Sequence, residues 1–175
     1  MTALHPTPPT SAGPEVRWVA PTDPLVRPMF VELDREHGAH HAHQGHALGD
    51  PDAGTAREAS GFAPPSGGLV LLVDGGTPVA GGAFRRRDSD TAELTRIWTG
   101  PAHRRRGLAR RVLTELESAS AARGYRRVHL TTGPRHPEAR HLCLTAGYTP
   151  LYDRTLHPET VGPHPFEKYL TGSFA

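Results

Sequence analysis

Cysteine and long apolar runs are nearly absent from this 175-residue chain. The single cysteine, Cys143, excludes an internal disulfide. The longest apolar run, residues 69–73, is far shorter than the roughly 20 residues that cross a bilayer, so we set membrane insertion aside. No charged start followed by an apolar run occurs near Met1. These absences predict a protein of a reducing, cytoplasmic setting.

A large net charge is also lacking. Lys and Arg total 20 against 18 Asp and Glu, which leaves a formal charge of +2. Because the overall field is weak, any attraction to anions depends on local clusters of charge. One such cluster is RRRGLARR at residues 104–111. The chain length fits one ordinary domain, so we expect a single active site.

Two segments lack the apolar periodicity of packed structure. Residues 1–14 hold four prolines, which is typical of a disordered tail and predicts a folded domain over residues 15–175. Residues 37–68 are predicted to form a mobile flap, with a short helix around residues 51–59. The flap is rich in histidine: His37, His40, His41, His43 and His46. Their spacings specify no closed coordination geometry, so we expect no metal site.

The rest of the chain has the periodicity of a mixed α/β protein. The predicted elements are a strand from Glu15, a helix from Pro24 that fades near Gly38, strands at residues 68–74, 78–86 and 92–99, a helix at 107–123, a strand at 127–132, a helix from 137 to about 146, and strands at 148–152 and 165–170. Strands that precede alternating helices and strands favour one sheet covered by helices. We therefore predict an α/β (α+β) fold with a mixed, mostly antiparallel sheet of six to seven strands.

The most informative stretch is AELTRIWTGPAHRRRGLA, residues 92–109. It reads as a strand, a turn, an arginine run and a glycine that opens an amphipathic helix. A helix N-terminus leaves about four N–H groups unpaired and carries partial positive charge, which suits a pyrophosphate. Gly107 has no side chain to block that approach. A solvated arginine face or a nucleic-acid patch is the alternative, but no aromatic platform and no Walker-type Lys-Ser/Thr pair is present.

The segment Arg104-Arg105-Arg106-Gly107-Leu108-Ala109 resembles the Arg/Gln-x-x-Gly-x-Gly/Ala loop of the GNAT superfamily of N-acetyltransferases. The resemblance extends from Thr91 to Leu151, and GYRRVHLTTGPRHPEARHLCLTAGYTPL is similar to the family's fifth strand, fourth helix and sixth strand. The residues before Thr91 match only in the order of elements. The resemblance implies a GNAT-like sheet and transfer of an acetyl group from acetyl-CoA, as co-substrate, to a primary amine.

The resemblance also implies how the coenzyme is held. The fourth and fifth strands splay apart to admit the pantetheine arm, and backbone groups of Ile97, Trp98 and Thr99 pair with its amides. A strand N–H near Ile97 or Trp98 polarises the thioester carbonyl. The Trp98 side chain is equally consistent with a core position. The residues implied to hold the pyrophosphate are Arg104, Arg105, Arg106, Gly107, Leu108, Ala109 and Arg110.

Amine acetylation needs a base for the amine, and an acid for the departing thiolate helps. Glu93 lies where many relatives place an acidic residue, so it is the candidate base; a structural ion pair, for instance with Arg96, is the alternative. Relatives often carry Tyr where this chain has Cys143, so the acid is open between Cys143, with its shorter reach, and Tyr148 or Tyr152. His136 stands where relatives often carry Asn or Gln in contact with the coenzyme.

Nothing in the residues selects the amine acceptor, and the flap histidines are one candidate for shaping its pocket. A catalytically silent acyl-CoA-binding regulatory module is the second hypothesis, favoured by the missing Tyr at Cys143. Nucleic-acid binding by the arginine cluster ranks last. A homodimer is compatible with the size of the domain, but no sequence feature indicates one.

Overall fold

The computed structural model describes residues 13–41 and 60–171. Within these residues the strands are β1 (Glu15–Val19), β2 (Gly68–Asp74), β3 (Thr77–Arg86), β4 (Thr91–Thr99), β5 (Arg127–Thr132), β6 (Thr149–Pro150) and β7 (His164–Tyr169). The α-helices are α1 (Arg27–His41), α2 (Leu108–Ala122), α3 (Pro137–Thr145) and the single turn α4 (Pro158–Val161). Short 3₁₀ turns cover Pro24–Val26 and Pro101–His103.

The strands form one sheet of seven in the order β1-β2-β3-β4-β5-β7-β6. Every neighbouring pair is antiparallel except β4 and β5, which run parallel. That parallel pairing is short, because it covers only three residues of β4, from Thr91 to Glu93. Beyond Glu93 the two strands are no longer paired, and this divergence opens the middle of the sheet.

Apolar side chains cover both faces of the sheet. On one face α1 contributes Met29 and Leu33, which pack with residues of β2 such as Leu69 and Leu71. On the other face α2 contributes Val112, Leu113 and Leu116 to the larger of the two apolar clusters. The alternation along β2 sends successive residues to opposite clusters, and all but its last residue are buried. The sheet is therefore the middle layer of three.

Two consecutive glycines of β3 let both helical layers approach closely. A Cβ on Gly81 would lie 2.9 Å from the Met29 sulfur of α1. A Cβ on Gly82 would lie 2.8 Å from a Val112 methyl of α2. Such distances are too short for real contacts, so larger residues here would push a helix away from the sheet.

The predicted order of strands and helices is confirmed, and residues 68–74 and 127–132 have the predicted bounds. The predicted end of the first helix near Gly38 is wrong, because α1 continues to His41. A helical glycine costs only about 1 kcal/mol, which α1 tolerates. The strand predicted at 148–152 shortens to Thr149–Pro150, since proline has no N–H to donate to the ladder. The turns at Pro101 and Pro158 were not predicted.

The flap expected over residues 37–68 is only partly described. Its last part packs against the fold, since Phe62 is 1% exposed and belongs to the cluster under α1. The predicted tail up to residue 12 lies outside the described residues, as do the helix expected at 51–59, His43 and His46. None of the described helices is both long enough and apolar enough to span a bilayer.

Candidate active site

A cleft of about 560 Å³ opens where β4 and β5 diverge. Its walls come from five elements, so it passes from the α1 face of the sheet to the α2 and α3 face. The lining residues are Leu33, Asp34 and Glu36 of α1, Leu94, Thr95, Arg96 and Ile97 of β4, Leu113 of α2, Leu130, Thr131 and Thr132 of β5, and His136, Ala139, Leu142 and Cys143 around α3. An extended molecule can thus lie between the two strands with backbone groups on both sides.

The β4 wall of the cleft contains a β-bulge. Gly81 pairs with Trp98 and Ala83 with Thr95, so two residues of β4 oppose Gly82 alone. Arg96 at the bulge has a φ of 57°, a left-handed conformation that costs a non-glycine residue about 1 kcal/mol or more. Bulges leave one residue unpaired and re-aim the backbone, which is common beside active sites. The bulge therefore directs polar backbone of β4 into the cleft.

The loop before α2 builds a seat for an anion. Arg105 and Gly107 both have positive φ, 60° and 73°, which turns the backbone sharply just before the helix. The first helical bond is donated by the Arg111 N–H to the Gly107 carbonyl at 3.1 Å. The N–H groups of Leu108, Ala109 and Arg110 precede this bond, and like the first N–H groups of any helix they have no acceptor within the helix. They lie at the positive end of the helix dipole, an arrangement that favours binding of an anion such as a pyrophosphate.

The arginine side chains of this loop are largely bound to the protein. Arg104 forms an ion pair with Glu36 of α1 at 2.8 Å and donates to the Thr99 carbonyl at 3.3 Å. Arg106 contacts the His103 ring at 3.1 Å. Arg110 donates to the carbonyl of Thr145, the last residue of α3, at 3.1 Å. The guanidinium groups of Arg104 and Arg110 thus attach the loop to α1 and α3.

A family model described as the acetyltransferase (GNAT) family matches residues 29–148. The chain belongs to the GNAT acetyltransferase family. It is therefore an acyltransferase, and the family's acyl donor is acetyl-CoA. The anion seat at Gly107 and the cleft between β4 and β5 lie inside the matched segment. A comparison with curated proteins gave no match.

Solved structures of acetyltransferases share the fold of this GNAT protein. A proposed acyl-CoA N-acyltransferase from Klebsiella pneumoniae is 21% identical with a TM-score of 0.70, over 90% of this chain and 98% of that one. An acetyltransferase from Streptococcus agalactiae is 17% identical with a TM-score of 0.69, over 91% and 99%. The yncA protein of Salmonella typhimurium, solved with its cofactor acetyl-CoA, is 16% identical with a TM-score of 0.63, over 94% and 98%.

The three β4 residues that were predicted to contact the coenzyme in this GNAT protein have different environments. The Ile97 side chain lines the cleft. The Trp98 side chain is 5% exposed in the cluster under α1, and its indole N–H donates to Glu32 at 2.7 Å. The Thr99 hydroxyl is buried and has no partner in the described part of the chain, while the Thr99 carbonyl accepts from Arg104. Trp98 is thus a core side chain, and only its backbone is available to a ligand.

Glu93, the predicted base, lies at the last pair of β4 and β5, opposite His129. One of its oxygens accepts from Arg85 at 2.7 Å, and the other lies 3.9 Å from Arg87. The Arg87 guanidinium also contacts Nδ1 of the buried His129 at 2.9 Å. Burial lowers the pKa of His129, and the nearby charge of Arg87 lowers it further. Glu93 is thus a fixed carboxylate at the closed end of the cleft, and it is not a lining residue.

Of the predicted acids, Cys143 faces the cleft and Tyr148 does not. The Cys143 thiol lines the cleft, and burial raises its pKa to about 12. The Tyr148 hydroxyl donates to Glu117 of α2 at 2.8 Å, away from the cleft. Burial raises the pKa of Tyr148, and the Glu117 charge raises it further. His136 lines the cleft just before α3, and its contact with the coenzyme stays a prediction.

Sequence reasoning missed the α1 wall of the site. Leu33, Asp34 and Glu36 line the cleft although they lie about 60 residues before the motif in the chain. Asp34 is exposed and, within the described residues, has no hydrogen bond or ion pair. The sequence feature that could have indicated this wall is the acidic stretch VELDRE of α1, residues 31–36. In the described part of the chain no group of three His, Cys, Asp or Glu side chains is placed to hold a metal ion.

Proposed function

We propose that this GNAT acetyltransferase transfers the acetyl group of acetyl-CoA to the primary amine of a small or peptidic acceptor. The observation that carries the proposal is that the cleft and the anion seat are neighbours, since Glu36 lines the cleft and forms an ion pair with Arg104 of the loop before α2 at 2.8 Å. A ligand that spans both must join a phosphorylated end to an extended arm, and acetyl-CoA has that shape. The pyrophosphate would lie on the N–H groups of Leu108, Ala109 and Arg110, and the arm between β4 and β5.

The bulge at Arg96 supplies the electrostatic part of the proposed reaction. Attack of an amine on the thioester places negative charge on the carbonyl oxygen. A backbone N–H of β4 near Ile97 is preorganised to donate to that oxygen, because the bulge is held by its pairing to β3. Such a donor accelerates acyl transfer without having to reorganise during the reaction.

Asp34 would bind the protonated amine of the acceptor, and Glu93 would remove its proton. An amine arrives protonated at neutral pH, and the unpaired Asp34 carboxylate on the cleft wall attracts that charge. Glu93 lies two residues before Thr95 on the same side of β4, about 6.6 Å along the strand. It would take the amine proton through a water at the closed end of the cleft.

The leaving thiolate would depart without an acid from the protein. A coenzyme thiol has a pKa near the value of about 8.5 typical of thiols, so its thiolate is a good leaving group. Cys143, with a pKa of about 12, is a much weaker acid than the thiol it would have to protonate. The Tyr148 hydroxyl is held by Glu117. Solvent at the open end of the cleft then protonates the coenzyme.

The test is calorimetric titration with acetyl-CoA of the native protein, Gly107→Val and Gly124→Val. Both glycines have positive φ, 73° and 89°, and a Cβ on either would contact nothing within 4 Å. The two substitutions therefore strain the backbone alike, but only the one in the coenzyme loop places a side chain over the N–H groups that hold the pyrophosphate. Loss of binding in Gly107→Val alone supports the proposal. No binding to the native protein, or equal binding by both variants, contradicts it. Turnover is then measured on a panel of primary amines.

A further inference from the structure

A second pocket lies beside α3, on a different side of that helix from the cleft. It has a volume of about 230 Å³, and its walls are formed mainly by α3 and by the segment that connects β6 to β7. From α3, Arg140 and Leu144 line this pocket, whereas Ala139, Leu142 and Cys143 line the cleft. The two sets point roughly 120° apart around the helix axis. The pocket, which we call the arginine pocket, thus shares no lining residue with the coenzyme cleft.

Two cations of the arginine pocket have no anionic partner. Within residues 13–41 and 60–171, neither the Arg140 nor the Arg154 side chain has a hydrogen bond or an ion pair. Two acids of the segment that connects β6 to β7 are bound elsewhere. Asp153 accepts from the N–H and hydroxyl of Thr155, and Glu159 pairs with Arg135. The pocket therefore contains two guanidinium groups that no carboxylate within these residues binds.

Two buried polar groups of the pocket are also unpartnered. His164 is 1% exposed and lines the pocket, yet neither ring nitrogen has a hydrogen-bond partner among the residues that the structure describes. In the same part of the chain the buried Tyr152 hydroxyl has no partner either. Leaving such groups unsatisfied is costly, and folded proteins rarely do so. Two donors beside two free guanidinium groups form a set that an oxyanion would satisfy.

These groups are held in place by the surrounding packing. The Tyr152 ring stands edge-on to His164, with centroids 4.4 Å apart, and edge-on to Phe166 at 5.4 Å. His164 is the first residue of β7 and pairs with Thr132 at the end of β5. The donors are thus arranged before any ligand binds, which lowers the entropic cost of binding.

The charge on His164 is sensitive to what fills the pocket. Burial lowers the pKa of His164, and the positive charge of Arg140 lowers it further. An anion between these side chains would offset both effects, because it favours the protonated ring. The imidazolium would then donate from both nitrogens.

We propose that the arginine pocket binds a small organic oxyanion between Arg140, Arg154, Tyr152 and His164. The ligands that fit the pocket would share a carboxylate or phosphate head group and a short apolar body. Leu144 and Leu156 line the same pocket and would contact that body. The volume equals that of several waters at about 30 Å³ each, which is enough for a small metabolite.

The test follows the ring signals of His164 by NMR, identified through their absence in His164→Gln. The full chain is titrated at constant ionic strength with sodium butyrate, with sodium glycerol phosphate, with inorganic phosphate and with chloride. Each titration is repeated in excess coenzyme A, so that phosphate binding at the Gly107 loop cannot contribute. The variants are Arg140→Gln and Arg154→Gln. The control is Arg86→Gln, an exposed arginine of β3 at the opposite end of the sheet.

We expect a saturable shift with butyrate or glycerol phosphate, and the more effective of the two identifies the head group. Removing one guanidinium should weaken that binding about tenfold or more, as loss of a charge-assisted hydrogen bond does, while Arg86→Gln should stay within about twofold. Coenzyme A binding by the variants shows that they are folded. Overturning results are shifts that do not saturate, shifts no larger than those with chloride, and equal responses in the pocket variants and the control.

Discussion

Arg104 of the loop before α2 and Glu36 of α1 form an ion pair of 2.8 Å beside the cleft, which Glu36 lines. Both side chains are about half exposed, so the pair contributes little to folding. Its effect is electrostatic, because it places a carboxylate and a neutralised guanidinium beside the seat proposed for a polyanion. The fold thus brings a residue of the first helix to the motif that marks the family.

The first prediction concerns this pair. In Glu36→Gln the Arg104 guanidinium is freed and a repelling carboxylate is lost, so acetyl-CoA should bind about two- to fivefold more tightly at low salt. Calorimetry at two salt concentrations measures this, with the gain shrinking as salt rises. Glu15→Gln, which removes a similar exposed pair with Arg17 on β1, should change nothing. Weaker binding by Glu36→Gln would mean that the ion pair orders the loop.

The second prediction concerns Asp34. Because its carboxylate lines the cleft and is proposed to attract the protonated amine, Asp34→Asn should raise KM for the amine about three- to tenfold with kcat nearly constant. Steady-state kinetics at saturating acetyl-CoA give both constants. A neutral acceptor analogue should be unaffected. A fall in kcat with unchanged KM would instead make Asp34 a participant in the chemical step.

The third prediction concerns Glu93. If Glu93 takes the amine proton through water, Glu93→Gln should lower kcat about tenfold to a hundredfold, with the deficit greatest at low pH. At high pH more of the amine is already deprotonated, so the loss should narrow. The affinity for acetyl-CoA should not change. A pH–rate profile parallel to that of the native enzyme would leave Glu93 with only its ion pairs to Arg85 and Arg87.

The fourth prediction concerns Tyr148. Its hydroxyl donates to Glu117, whose other oxygen accepts from Lys168 at 2.8 Å. Tyr148→Phe should therefore destabilise the fold by about 1–2 kcal/mol, since one oxygen of the half-buried Glu117 carboxylate loses its donor. Denaturant unfolding measures that change. Turnover below the unfolding temperature should stay within about twofold of native. A loss of kcat with unchanged stability would assign the acid role to Tyr148.

The fifth prediction concerns the only thiol of the chain. Burial raises the Cys143 pKa to about 12, so at pH 8 very little thiolate is present and alkylation by iodoacetamide should be slow. Its rate should rise about tenfold per pH unit while the fold persists. Because Cys143 lines the cleft, acetyl-CoA should protect it. Equal rates with and without acetyl-CoA would place the arm of the coenzyme away from α3.

The order of elements and the coenzyme motif followed from the sequence, because both depend on local chemistry. A continuous apolar run that ends at a Gly-Gly turn predicts the strand Gly68–Asp74. A glycine before an amphipathic stripe predicts the helix at 107–123, which the structure places at Leu108–Ala122. The motif at Gly107 is specific because only a residue without Cβ accepts a φ of 73° readily and leaves the helix N-terminus open.

Other features were decided by contacts between distant residues. The bulge at Arg96 depends on its pairing with β3, and no pattern within β4 marks it. Tyr148 and Cys143 are close in the chain, yet the first faces Glu117 and the second faces the cleft, because one follows the end of α3 and the other lies within it. The packing of the helices on the sheet decides which side chains line the same pocket. The spacing of residues along the chain does not give the distances between those side chains. The sequence alone determined the family and the loop that we propose to bind phosphate; the tertiary structure decided which acids, cations and unpaired donors surround the cleft and the arginine pocket.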